Sequence, residues 1–195
     1  MPGADIELEA FCSLICSEDP SELARRYVFS GQVCVFASPS GYELFRSRVQ
    51  TEISNVEYVA IVGSGNWNYS LNPRNNFSQF HVGSDIDVAV ISHHHFTETW
   101  TQLRRIHRDK WYTLSRYDQD RLRRNGENVY SGFVSPRWLP DQADRLRFEH
   151  ERMLNKLSDF AVGYRKVGML FFKDEIEVVD YYSRGFAIAA QRLGR

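Results

Sequence analysis

Long apolar runs are missing from this chain. No stretch approaches the roughly 18 consecutive apolar residues of a membrane-spanning helix, so no membrane insertion is expected. Net charge is nearly missing too: 24 Lys and Arg against 25 Asp and Glu leave −1 at pH 7. The balance gives no global argument for nucleic acid, and any basic surface has to be local. Cysteine is scarce, three in 195 residues, and an odd count does not build a disulfide framework. Cys12 and Cys16 stand one helical turn apart, but no partner ligands follow at metal-site spacing, so buried free thiols are the reading. The opening MPGADIELEAFCSLICSEDP is acidic where a secretory leader would be basic. A cytoplasmic protein is the expectation. Internal repeats and low-complexity segments are also absent.

What is present is core-forming material. Hydrophobic residues make up 43% and aromatics 14%, a composition that folds rather than stays disordered. The length suits a single domain over 1–195, with 1–54 as a mainly helical N-terminal part. Helices are expected over 5–16, with Ile6, Leu8, Phe11, Leu14 and Ile15 partly on one face, then after a Ser21 cap, and from the turn at 38–41 to about Ser54. QVCVFAS, between the second and third, reads as a short edge strand. VEYVAIVGS and DIDVAVIS are apolar runs of the kind buried on both faces of a sheet. A helix then carries Phe96, Trp100, Leu103 and Ile106 or His107 near helical spacing. Beyond a charged segment, VYSGFVS reads as a third strand, PRWLP as a break, and 141–164 as a helix with Leu146, Met153, Leu157 and Phe160 on one side. KVGMLFF is the fourth strand and 174–193 the last helix. The fold class is α/β (α+β), a small mixed sheet with flanking helices.

One stretch carries chemistry. The first buried run ends in Gly63-Ser64, and the second opens with Asp85 and Asp87. Alternation puts both aspartates on one face of a strand, about 7 Å apart at Cα. Two such carboxylates repel unless a cation lies between them, and Mg2+ is bound by one or two carboxylates plus phosphate oxygens. Gly63 allows a sharp turn off the strand, and Ser64 offers an amide and a hydroxyl to phosphate. The plainer reading of SDID is a turn whose carboxylates accept backbone N–H groups. A dinucleotide fingerprint fits less well, because Asn68 stands where its third glycine belongs.

A strand ending in Gly-Ser, followed by a strand with Asp-hydrophobic-Asp-hydrophobic, resembles the DNA polymerase beta-like nucleotidyltransferase superfamily. The residues are Gly63-Ser64 and Asp85-Ile86-Asp87-Val88, and the resemblance covers about 35 residues closely. It implies a nucleotidyltransferase-like fold and a template-independent enzyme dependent on Mg2+ (or Mn2+). Such an enzyme passes a nucleoside monophosphate from an NTP or dNTP to a hydroxyl of a nucleotide, oligonucleotide or protein. It also implies Asp85 and Asp87 as catalytic metal ligands, and Gly63, Ser64 and Ser84 as nucleotide or phosphate contacts, while Arg74 in the loop between the motifs is a further phosphate candidate by its charge alone. Minimal stand-alone members resemble toxin–antitoxin or antiphage components with a partner protein encoded nearby. The chain departs from the family in two respects. The segment between the motifs is longer, and no acid lies within either later strand; Glu127, Asp174 and Glu175 flank them. A member lacking that third carboxylate would be an inactive subunit that binds nucleotide or a partner protein as inhibitor or sensor.

Other features have two readings each. Trp67 and Tyr69 could stack on a base, or pack the loop onto the domain. Residues 104–124 hold eight Lys or Arg against three acids, suited to a triphosphate or a nucleic-acid backbone, or to a solvated helix face. His93, His94 and His95 are consecutive and cannot all converge on one metal. Arg165, Lys166 and Lys173 bracket the last strand and are within reach of a site at its rim, or serve solubility alone.

Overall fold

The computed structural model describes residues 6–140 and 144–194. Four strands form one mixed sheet in the order β1-β2-β4-β3: β1 Tyr58–Val62, β2 Ile86–Ile91, β3 Phe133–Val134 and β4 Val167–Phe172. β2 runs parallel to β4, and the outer pairings are antiparallel. The helices are α1 Leu8–Ser17, α2 Pro20–Val28, α3 Pro39–Glu52, the single turn α4 Ser64–Trp67, α5 His93–Lys110, α6 Arg116–Tyr130, α7 Arg145–Leu157 and α8 Glu175–Leu193. The expected fold class, a small mixed sheet with flanking helices, is the one observed. Among the described residues no helix is long and apolar enough to cross a membrane.

Alternation along the strands feeds two cores. Val59, Ile61, Ile86, Val88, Val90, Met169 and Phe171 face α3, α5, α6 and α7, where Tyr42, Phe45, Leu103, Leu122 and Leu157 meet them. Ala60, Val62, Ala89, Ile91 and Phe172 face α1, α2 and α8, against Phe11, Leu23, Tyr27, Val178 and Phe186. Both long apolar runs are therefore buried on two faces, as their composition requires.

Local chemistry sets the element ends, with some departures from the sequence reading. Asp19 rather than Ser21 caps α2, accepting from the N–H groups of Ser21 and Glu22 with Pro20 at the first helical position. The start of the first helix at residue 5, and that of the helix read over 141–164, lie outside the described residues. QVCVFAS is not a strand: Cys34 and Val35 donate their N–H groups to the Asn66 and Gly65 carbonyls of α4, which occupies the ladder an edge strand would need. The charged segment after α5 becomes α6, capped by Ser115 and running through Gly126 to Tyr130, so the third strand shrinks to two residues. Leu122, Asn125 and Val129 recur at helical spacing on its inner side, and that burial outweighs the roughly 1 kcal/mol cost of a mid-helix glycine. Phe160, expected on the inner side of the helix at 141–164, is 75% exposed because α7 ends at Leu157. Cys16 is exposed rather than buried, Cys12 and Cys34 are half-buried, and all three are free.

β1 is an edge, and the protein covers it. The Tyr42 hydroxyl on α3 accepts the Ile61 N–H at 3.1 Å, and burial pushes that phenol up to about 12. Tyr42→Phe strands a buried N–H and is expected to cost about 1–3 kcal/mol in urea unfolding. His150 on α7 is buried against Phe171, with no partner for its Nε2 among the described residues. Burial, with Arg137 and His95 adding repulsion, pushes it down to about 3. Once unfolded it titrates near its ordinary value of about 6.5. Its contribution to stability is therefore complete above that value and is lost as pH falls toward 3, by up to about 1.4 kcal/mol per pH unit. Stability measured against pH is expected to show a shallower acid limb in His150→Phe than in the parent.

Candidate functional site

The two aspartates mark the end of β2 where the chain enters the sheet. Asp85 precedes the strand, and Asp87 continues the face of Ala89 and Ile91. That face is closed by apolar packing further along, but at Asp87 α8 forms only a wall. A cleft of about 760 Å³ opens instead. Gly63, Ser64, Asp85 and Asp87 all line it, together with Ser84, the two ends of the loop at Ser70–Pro73 and Ser78–Gln79, and Tyr181, Tyr182 and Arg184 of α8. Residues more than 20 apart in sequence meet because β1 and β2 are antiparallel neighbours with Val62 opposite Asp87, which sets Gly63 beside the carboxylate.

Two glycines keep that carboxylate accessible. Gly63 has φ +66°, in the left-handed region, and a Cβ there would lie 3.1 Å from Asp87 Oδ2. On the other side Gly168 of β4 is the register partner of Asp87, and a Cβ there would lie 3.4 Å from Oδ1. Water reaches Asp87, yet the carboxylate sits in a concave surface that displaces much of its hydration. Burial pushes its carboxyl above the usual range, Asp85 pushes it further, and Lys166 opposes them. The Lys166 ammonium stands 3.8 Å from Asp85 Oδ2 and offsets part of the negative charge. Two hard oxygen donors on one face, mutually repelling and flanked by glycine, fit a divalent cation such as Mg2+.

The remaining sequence candidates divide. The Ser64 hydroxyl makes no hydrogen bond among the described residues, whereas the Ser84 hydroxyl accepts the His81 N–H at 3.0 Å. Arg74 is exposed in the turn Pro73–Asn75 and does not line the cleft. None of Glu127, Asp174 and Glu175 lines it either: Asp174 caps α8, Glu175 pairs with Arg25, and Glu127 is exposed on α6. Arg165 lies over the Phe80 ring and Lys173 is beside Asp174. Trp67 and Tyr69 do not stack in the open. Trp67 is buried against Tyr27, Tyr182 and Phe186, and the Tyr69 hydroxyl donates to the Ile6 carbonyl. They anchor the long segment between the motifs, which closes on itself through a Tyr69–Gln79 bridge.

Sequence reading missed Gly168, Tyr181, Tyr182 and Arg184. A lone glycine inside KVGMLFF was the available signal, since glycine in a strand marks a close approach. Tyr181 and Arg184 are one helical turn apart, and Arg184 is paired with Asp180. Burial raises the Tyr181 phenol and Asp87 adds to it, against Arg184. A second group of metal-type donors, His94, His95 and Glu98, opens α5, with ligand atoms within 4.8 Å of one another. His95 there spends Nε2 on the Ser54 carbonyl at 2.9 Å.

Comparison with protein-family models, curated proteins and solved structures returned no match. The site therefore rests on its own geometry. Replacing Asp85 by Asn removes one source of the Asp87 shift, so the Asp87 carboxyl is expected to titrate lower, and Lys166→Met to move it higher. Carbon-detected NMR of the aspartate carboxyls reads both directions.

Proposed function

We propose that the cleft binds a nucleoside triphosphate with a divalent cation and transfers its nucleoside monophosphate to an acceptor hydroxyl. The observation that carries this reading is the meeting of Asp85 and Asp87 with the Gly63-Ser64 turn in one cleft. It is also the arrangement in which Gly63-Ser64 and Asp85-Ile86-Asp87-Val88 resemble the nucleotidyltransferase superfamily. Asp85 and Asp87 hold the Mg2+ or Mn2+. Bound there, the cation neutralises phosphate charge and makes the acceptor hydroxyl more acidic. The Ser64 hydroxyl and amide face the β- and γ-phosphates. One of the two aspartates accepts the proton that the hydroxyl gives up. The acceptor oxygen then bonds to the α-phosphorus, the bond from that phosphorus to the bridging oxygen breaks, and pyrophosphate leaves with that oxygen. Tyr181 and Tyr182 present ring surface to the base or the acceptor. A cytoplasmic role in toxin–antitoxin or antiphage defence, with a partner protein encoded nearby, belongs to the same reading.

One observation favours a second reading. The β4 position beside Asp87 is Gly168, and among the described residues the cleft has two carboxylates and not three. A cation held by two carboxylates is held more weakly, which suits a subunit that binds nucleotide as inhibitor or sensor without turnover.

Each labelled NTP and dNTP, incubated with the protein and Mg2+ or Mn2+, separates the two. Transfer or pyrophosphate release is expected, and the Asp85→Asn, Asp87→Asn double variant is expected to lose it by roughly 10³-fold while keeping its fold. Cation-dependent nucleotide binding without turnover would establish the second reading; no cation-dependent binding at all would dismiss both. Gly63→Val, which places a branched side chain against Asp87 at positive φ, is expected to abolish nucleotide binding in calorimetry.

A further inference from the structure

The charge of this protein is distributed unevenly. Residues 104–124 carry eight Lys or Arg against three acids, in a chain whose total is −1. This segment is the C-terminal half of α5, a short turn and the first half of α6. Elsewhere the cations are mostly neutralised: Arg25, Arg48, Arg145, Arg147, Lys156 and Arg184 each meet a carboxylate. Within 104–124 the one ion pair among the described residues is Arg123 with Asp120. Arg105, Arg108, Lys110, Arg116 and Arg124 are exposed and have no carboxylate partner among the described residues.

Pairs of opposite charge three and four apart stabilise a helix face, and like charges there destabilise it. Here Arg105 and Asp109, and Asp120 and Arg124, are opposite charges at those spacings, but Arg104 and Arg108, and Arg121 and Arg124, are like charges, and among the described residues only Arg123 and Asp120 close an ion pair. The surface also carries aromatic rings that serve no core. Tyr112 is 96% exposed and Tyr117 70%. Guanidinium groups already lie over rings: Arg104 over Trp100 at 4.7 Å, Arg123 over Trp111 at 5.2 Å and Arg121 over Tyr117 at 5.6 Å. Arginine outnumbers lysine seven to one, and its planar group is the one that grips phosphate in two places and stacks. The basic residues extend along each helix for about 10 Å.

We infer that the α5–α6 surface binds single-stranded nucleic acid, its arginines on the phosphates and Tyr112 and Tyr117 against bases. Unpaired strands expose the base faces that rings can stack on, and a duplex hides them. This inference does not depend on the chemistry of the cleft.

The test uses the full chain and a fluorescein-labelled single-stranded 20-mer of oligo(dT) or oligo(U), read by anisotropy. With four or five phosphates neutralised, log affinity is expected to fall against log salt with a slope of about −3, or about 60-fold between 50 and 200 mM. Arg105→Glu with Arg108→Glu and Arg124→Glu is expected to remove binding, with circular dichroism unchanged because all three positions are exposed. Tyr112→Ala with Tyr117→Ala is expected to weaken binding about tenfold or more and to leave the salt slope as it was. Asp85→Asn with Asp87→Asn is expected to bind at least as tightly as the parent, which separates this surface from the cleft. The inference is overturned by absent binding at low salt, by affinity indifferent to the arginine changes, or by tighter binding of the matching duplex. Displacement by polyglutamate at the same charge concentration as unlabelled oligonucleotide would overturn it too, because the surface would then recognise acidic chains in general.

Discussion

The parallel ladder between β2 and β4 is the contact on which the rest of the structure depends. It makes β2 an interior strand, hydrogen-bonded on both edges and covered on both faces. An unpaired charge inside such a strand would lose its hydration with nothing in return. Carboxylates are tolerated only where the strand emerges, and Asp85 and Asp87 stand there, ahead of Val88, Ala89, Val90 and Ile91. The same ladder sets Gly168 beside Asp87, while β1 sets Gly63 on its other side. Sheet register thus produces a carboxylate with open space on both flanks.

The long segment after Gly63 holds the cleft open from the other direction. Its buried aromatics act as anchors: Trp67 joins the cluster of Tyr27, Tyr182 and Phe186, and Tyr69 stacks near Phe11. Asn66, buried between them, donates to the carbonyls of Tyr27 and Ile61, tying α2 and β1 to the turn. The N-terminal helices, which carry no candidate chemistry, therefore position the site. Ring stacking and buried hydrogen bonds in α1 and α2 are coupled to the backbone of Gly63 and Ser64 through two residues.

Legibility followed how local the signal was. The buried strands, the helices of α3, α5 and α8, and the pairing of Gly-Ser with Asp-Ile-Asp were readable, because each is a short pattern with a period or a motif. The QVCVFAS segment misled because β-branched residues report burial and not ladder pairing. Its Val33 and Val35 do reach the core, while its N–H groups end on α4. The α6 region misled in the opposite sense. Its charges hid a helix whose inner stripe is only Leu122, Asn125 and Val129. Arg74 is a case of proximity in sequence without proximity in space: it is in the right loop but outside the cleft.

By itself the sequence determined that the two long apolar runs had to be buried strands, where the other two strands and most of the helices fell, and that the two aspartates stood together at the start of one strand. Those follow from period and polarity, which are local. Tertiary structure decided what surrounds the aspartates: two glycines at contact distance, Lys166 near Asp85, tyrosines from a helix about 95 residues further along, and, among the described residues, no third carboxylate. None of these has a local signature, because each depends on strand order and register, and only the packed sheet specifies them.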